Sequence, residues 1–260
     1  MFFHIYHFFF HWFSARTLHL IHSPFVYDFC TKVLPYNPTK IGENIENLRK
    51  KLLKNQTILS LTDFGAGMQG NSLVQTEKTV AEIAKSSARR RKEGAFLFRL
   101  CEHYQPKRAL ELGTNLGIST LYQAAAIPES RFVTLEGAAA LAEIAQQNFD
   151  AFSLSPEILI GEFSETLTHK ISLSAYRPDY VFIDGNHRYE ATMAYFRLFL
   201  PHIPDGGMMV FDDIYWSKGM KKAWEEIISC EEVRVSIDVF WFGICFIRRK
   251  QAKEHFKLRF

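Results

Sequence analysis

Three aspartates and a histidine stand at spacings that could handle a cation or a proton: Asp184 and His187 in DYVFIDGNHRYE, and Asp212 with Asp213 in GGMMVFDDIYW. Carboxylates gathered in one place repel unless a cation or a proton lies between them, and oxygen-only ligands suit Mg2+ or Ca2+. Imidazole exchanges protons near neutrality, so His187 is a candidate base, its alternative role being to cap the helix that begins near Tyr189. A second feature is the turn LELGTNLGIST at 110–120, where Gly113 and Gly117 flank a loop containing Thr114, and Ser119 and Thr120 open a helix. Glycines there let backbone N–H groups approach a ligand, and a helix start adds its dipole. The spacing is Gly-x-x-x-Gly, without the middle glycine that brings a dehydrogenase backbone close to a pyrophosphate, so a ligand lacking phosphate suits the turn better.

These groups need strands to carry them. Short β-type runs recur at 108–112, 131–136, 158–160, 180–183 and 208–211, with helical stretches at 119–126, 138–152, 189–200 and 218–229 between them. That alternation predicts a parallel sheet with helices on both faces, whose strand ends converge on a ligand crevice. VRVSID and FWFGICFIRR stand too close together for a crossover helix and should pair antiparallel. The expected fold is therefore α/β, a Rossmann-like doubly wound sheet of seven strands with the last antiparallel. Residues 1–88 read as a mainly helical extension, a cap or a homodimer contact, and residues 89–260 as the domain that carries the site. Within the extension, Phe25, Val26, Phe29 and Val33 follow one helical face after the Ser23-Pro24 start, and Ile41, Ile45, Leu48 and Leu52 follow another.

The segment KEGAFLFRLCEHYQPKRALELGTNLGISTL resembles the class I S-adenosylmethionine (SAM)-dependent methyltransferases, in their catechol and macrocin O-methyltransferase-like branch. The resemblance runs over roughly residues 92–248, with the motifs in the family's order. It implies methyl transfer from SAM to an oxygen of a small-molecule acceptor. It also implies that the turn from Gly113 to Gly117 cradles SAM, that Glu111 helps hold its methionine end, and that Glu162 or Phe163 meets adenine. Glu136, ending the strand RFVTLE, could accept two hydrogen bonds from a ribose diol. Asp184, Asp212 and Asp213 match metal-binding positions of the family, with Asp184 also a candidate contact for SAM, and His187 matches the place of the catalytic lysine in the catechol type. The macrocin type has an acid where this chain has Asn186, and an amide cannot act as a base.

Other readings are weighed against these. DFGAG at 63–67 also looks like a SAM-binding turn, but the polar MQGNSLVQTEK that follows lacks the apolar stripe of a helix packed on a sheet. A hydroxylase-like reaction on the same scaffold and a non-catalytic SAM-binding subunit are the alternative functions. The formal charge of +3 does not argue for nucleic acid, and the basic run Arg89 to Lys92 reads as a solvated face. Four scattered cysteines imply neither a disulfide framework nor a zinc site, which suits a cytoplasmic protein. The aromatic start MFFHIYHFFFHWF is too short to span a bilayer and lacks the marks of a secretory signal. It should pack on the protein or a second subunit, with membrane-surface contact as the minority expectation. Tyr215 and Trp216 are expected to line the acceptor pocket, and Phe240, Trp241 and Phe242 to be core.

Overall fold

The computed structural model describes residues 2–63, 74–87, 90–169 and 172–260. Along the chain come the helices α1 (Phe2–Ser14), α2 (Pro24–Lys32) and α3 (Lys40–Leu52), then the strands β1 (Ile58–Asp63) and β2 (Val74–Thr79) and the helices α4 (Val80–Ser87) and α5 (Arg91–Tyr104). Next are β3 (Arg108–Leu112), α6 (Ile118–Ala126), β4 (Arg131–Glu136), α7 (Ala139–Ala151), β5 (Glu157–Ile160) and α8 (Phe163–His169). The rest is α9 (Leu173–Tyr176), β6 (Tyr180–Ile183), α10 (Tyr189–Phe199), β7 (Met208–Asp212), α11 (Lys218–Ser229), β8 (Val235–Asp238), β9 (Phe242–Phe246) and β10 (Glu254–Lys257). Two compact units result, Lys32–Ser172 and, separately, Met1–Thr31 with Leu173–Phe260.

In Lys32–Ser172 the strands β3, β4 and β5 lie side by side and parallel, with Leu110 opposite Val133 and Leu135 opposite Leu159. Every residue of β3 and β4 after the first is buried, as befits parallel strands covered on both faces. Tyr122 of α6 is fully buried, and its hydroxyl donates to Glu46 Oε1 of α3 at 3.1 Å. Residue 94 of α5 must be glycine for that ring to fit, because a Cβ there would fall on it. The expected mainly helical extension also holds an antiparallel strand pair that was not foreseen, β1 with β2, Ile58 opposite Thr79. Their residues ILSLTD and VQTEKT mix polar and apolar types and flank a glycine-rich stretch, which masks a hairpin signal. Beyond Asp63, the DFGAG turn lies outside the described residues.

In Met1–Thr31 with Leu173–Phe260 the strand order is β6, β7, β9, β8, β10. β6 and β7 are parallel, and β9 runs antiparallel to both β7 and β8, so Ile244 faces Val210 on one side and Ile237 on the other. The hairpin forms as its short connection requires, and β9 is the antiparallel strand. The seven-strand plan gains an eighth member, β10, parallel to β8 with Phe256 opposite Ile237. Only Phe256 of its four residues is buried, too little for an apolar pattern to announce a strand. The first helices join this unit through an isolated bridge from Arg16 to Leu258 and through Phe25, which meets Phe246 edge-on at 4.9 Å.

Candidate functional site

The turn after β3 is built on three left-handed residues, Gly113 (φ 101°), Asn115 (φ 50°) and Gly117 (φ 79°). The N–H groups of Gly113 and Thr114 both donate to Leu135 O, at 3.0 and 3.1 Å, and Gly117 N–H donates to Thr114 O at 2.8 Å. The loop is thus pinned to the tip of β4 and closed upon itself. Asn115 tolerates its conformation because its side chain accepts from the N–H of Leu116 at 2.8 Å. Gly117 has no such latitude, since a Cβ would sit 2.6 Å from the ring of Phe149.

Glu136 ends β4 with its carboxylate directed at this turn. Oε2 accepts from Asn115 N–H at 2.7 Å and Oε1 from Ala138 N–H at 2.9 Å. Burial pushes its pKa above the usual carboxylate range, and the N–H groups of Ala138, Asn115 and Gly137 pull in the opposite direction. Below it, Gly161 N–H donates to Glu136 O at 2.9 Å. Glu162 then caps α8 by accepting from Glu165 N–H at 3.1 Å, and Phe163, half-buried, opens that helix.

Glu111 is wholly buried, and its two oxygens accept from four side chains: Oε1 from Ser119 and Gln123, each at 2.8 Å, and Oε2 from Thr120 at 2.5 Å and Thr134 at 2.7 Å. Thr114 extends the chain, its hydroxyl 2.6 Å from that of Thr134. The carboxylate therefore ties β3 to β4 and to the first turn of α6, a brace under the loop. Sequence reasoning missed Gln123 and Thr134. Their signal is the polar residue inside an otherwise apolar strand and the i, i+4 spacing of Ser119 with Gln123 on one face of a buried helix.

In the other unit, Asp184 follows β6 and Asp212 ends β7. His187 Nε2 lies 3.6 Å from Asp184 Oδ1. One donor atom from each of Asp184, His187 and Asp212 falls within 4.8 Å of the others, and Asp212 is 1% exposed while the other two are half-buried. Among the described residues this is a group of metal-ligand type, and it brings His187 together with two of the expected metal-binding acids, Asp184 and Asp212. Asp213 occupies a left-handed turn (φ 49°), its N–H donating to Trp241 O and its carbonyl accepting from Trp216 N–H, each at 2.8 Å. Two carboxylates and an imidazole form a donor set that fits a divalent cation such as Mg2+ or Mn2+. Trp216 is exposed with its ring 6.5 Å from that of His187. Tyr215, in contrast to the pocket role expected of it, is buried with its hydroxyl donating to Asp238 Oδ2 at 2.6 Å. Phe240 and Phe242 are buried.

A second titratable cluster in this unit was not anticipated. His11 Nε2 of α1 lies 3.0 Å from Asp238 Oδ1, and the N–H of Phe240 donates to the same oxygen at 2.9 Å. Burial alone would raise the Asp238 carboxyl, but the hydrogen bonds and charge of His11, with the bonds from Tyr215 and Phe240, hold it below the usual range. Burial and the neighbouring Asp238 push the Tyr215 hydroxyl upward.

Comparison with known proteins bears on the same residues. Residues 110–214 match a family model described as a methyltransferase domain. The chain is 36% identical over 97 residues to a catechol O-methyltransferase of Niastella koreensis, covering 36% of this chain and 44% of that protein. It is 32% identical over 131 residues to a catechol O-methyltransferase of Mycobacterium tuberculosis, covering 49% of this chain and 57% of that protein. The chain thus spans about half the length of these curated relatives. Its fold is similar to that of an O-methyltransferase from Bacillus cereus solved in complex with SAH, with a TM-score of 0.54, 18% identity, and coverage of 84% of this chain and 94% of that one. Residues 110–214 thus match a methyltransferase-domain model, and the fold is similar to that of a solved O-methyltransferase.

Proposed function

We propose that this protein transfers the methyl group of SAM to an oxygen of a small-molecule acceptor. The observation that carries this reading is the aim of Glu136, whose carboxylate is bonded to the N–H of Asn115 in the glycine turn. A carboxylate has about four acceptor sites, and the N–H groups of Asn115 and Ala138 on Glu136 leave two for a ribose diol. The turn from Gly113 to Gly117 accommodates the nucleoside, with Thr114 and Ser119 fixing its edges through the Glu111 network. Glu162 and Phe163 take the adenine side. SAM supplies, when bound, an electrophilic methyl group on its sulfonium.

Asp184 and Asp212 would hold a Mg2+ ion, which as a Lewis acid would make an acceptor hydroxyl beside them easier to deprotonate. His187 takes that proton, and its approach to Asp184 orients the ring for the task. Catechol is the first acceptor to try, since both curated relatives bear that name.

Isothermal titration calorimetry with SAM and with S-adenosylhomocysteine, followed by incubation with methyl-labelled SAM, Mg2+ and a panel of catechols and other hydroxylated small molecules, tests the reading. Binding of both nucleosides and label in an acceptor is the expected result. Failure of either nucleoside to bind refutes it.

A further inference from the structure

The helix α1 is amphipathic the wrong way round for a protein surface. Its inward face carries His4, His7 and His11, stacked on or edge-on to Tyr215 and Phe240 at 5.0 to 6.1 Å. Its outward face carries Tyr6, Phe9, Phe10 and Phe13, which are 66%, 57%, 54% and 80% exposed. A helix dissolved in water puts its rings inward and its imidazoles outward. Here the buried bond between His11 and Asp238 holds the rotation fixed and leaves the rings outside.

The charges beside this face are mostly positive. Residues 1–27 contain no Asp or Glu, and RRKQAKEHFKLRF at 248–260 holds six Lys and Arg against one Glu. The basic segment lies directly on the aromatic helix. Arg259 Nε donates to Trp12 O at 3.1 Å with its guanidinium 4.7 Å from the Trp12 ring centre, and Lys257 Nζ is 5.6 Å from that of Phe10.

We propose that this face docks on a membrane surface rich in acidic lipids, α1 lying in the plane of the headgroups with its rings below and the cations of the C-terminal segment against the lipid phosphates. Exposed aromatic area beside a basic rim is the composition that such an interface attracts. A helix of 13 residues is about 20 Å long, short of the roughly 30 Å of a bilayer core, and none of the described helices is long and apolar enough to cross a membrane. A second copy is the poorer occupant, because a two-fold contact through this face sets one basic rim against another. The proposal is independent of the methyl-transfer reading.

The test is co-sedimentation of the full-length chain with vesicles of phosphatidylcholine alone and of phosphatidylcholine mixed with phosphatidylglycerol, alongside its oligomeric state by light scattering. The expected result is partition into the acidic vesicles over the neutral ones. Lys257→Gln with Arg259→Gln should weaken that partition about fivefold per cation. Phe9→Ser, Phe10→Ser and Phe13→Ser, all at exposed positions, should weaken it about tenfold per ring, with SAM binding and circular dichroism unchanged. The proposal is overturned if wild type ignores both vesicles, if it binds both equally, or if neither set of substitutions alters partition. A dimer abolished by the serine substitutions, in a chain that ignores vesicles, would assign the face to a second copy.

Discussion

Replacing Glu111 with leucine or with glutamine separates a hydrogen-bonding brace from a ligand contact. Leucine keeps bulk but removes the acceptor of four side-chain donors. Thr134 can re-pair with Thr114, already 2.6 Å away, and Ser119 and Thr120 can turn toward carbonyls of the preceding turn. Each buried donor that stays stranded costs about 1–3 kcal/mol, so with one or two stranded the leucine protein should lose roughly 2–5 kcal/mol. Glutamine keeps an acceptor for Ser119 and Gln123 and faces its amide toward two hydroxyls that can reverse and accept. Only the charge assistance is lost, on the order of 1–2 kcal/mol. Urea unfolding followed by circular dichroism should therefore rank wild type above glutamine and glutamine above leucine. Equal loss in the two variants would refute the reasoning, as would a leucine protein as stable as wild type. Calorimetry with SAM adds a second discrimination: a glutamine protein of full stability that no longer binds SAM would make Glu111 a direct contact.

Glu136→Gln should weaken SAM binding by roughly ten- to a hundredfold, the worth of a charged acceptor. Because burial raises the Glu136 carboxyl above its ordinary value of 4.5, the ionised acceptor is lost on acidification at a higher pH than for an exposed glutamate, so SAM affinity should fall there in wild type and stay flat in the glutamine protein. The same shift favours the protonated folded state, so the group's contribution to stability is present below its ordinary value and declines as pH rises through the raised one. Gly117→Ala combines a left-handed backbone (φ 79°) with a Cβ 2.6 Å from Phe149 and should cost roughly 2–5 kcal/mol, read as a lowered thermal midpoint. Asp212→Asn should abolish Mg2+ binding measured by calorimetry while leaving SAM binding within a few-fold. Retained Mg2+ affinity would remove Asp212 from the metal set.

The sequence showed most where chemistry and local geometry coincide. Gly113, Asn115 and Gly117 are the residue types that left-handed backbone selects, so the loop could be read as a loop, and Glu136 stood at the strand tip from which it meets the Asn115 N–H. What stayed hidden depends on partners far along the chain. Thr134 is 23 residues from Glu111 and Asp238 is 227 from His11, and no local pattern announces either bond. For α1 the distant bond decides which face is buried, against the hydropathy of its own residues. The grouping of Asp212 with Asp184 and His187 joins residues 25 and more positions apart, so no local pattern announces it. Among the described side chains of β1, β2 and β10, too few are buried to show a period.

The bridge between Arg16 and Leu258 has a bearing on biosynthesis. His11 leaves the ribosome 227 residues ahead of the Asp238 carboxylate that seats its helix, and Leu258 follows later still. Over that interval the phenylalanines of α1 lack the carboxylate that seats their helix while Lys32–Ser172, contiguous in the message, can already condense, which leaves chaperones a long window on the exposed rings.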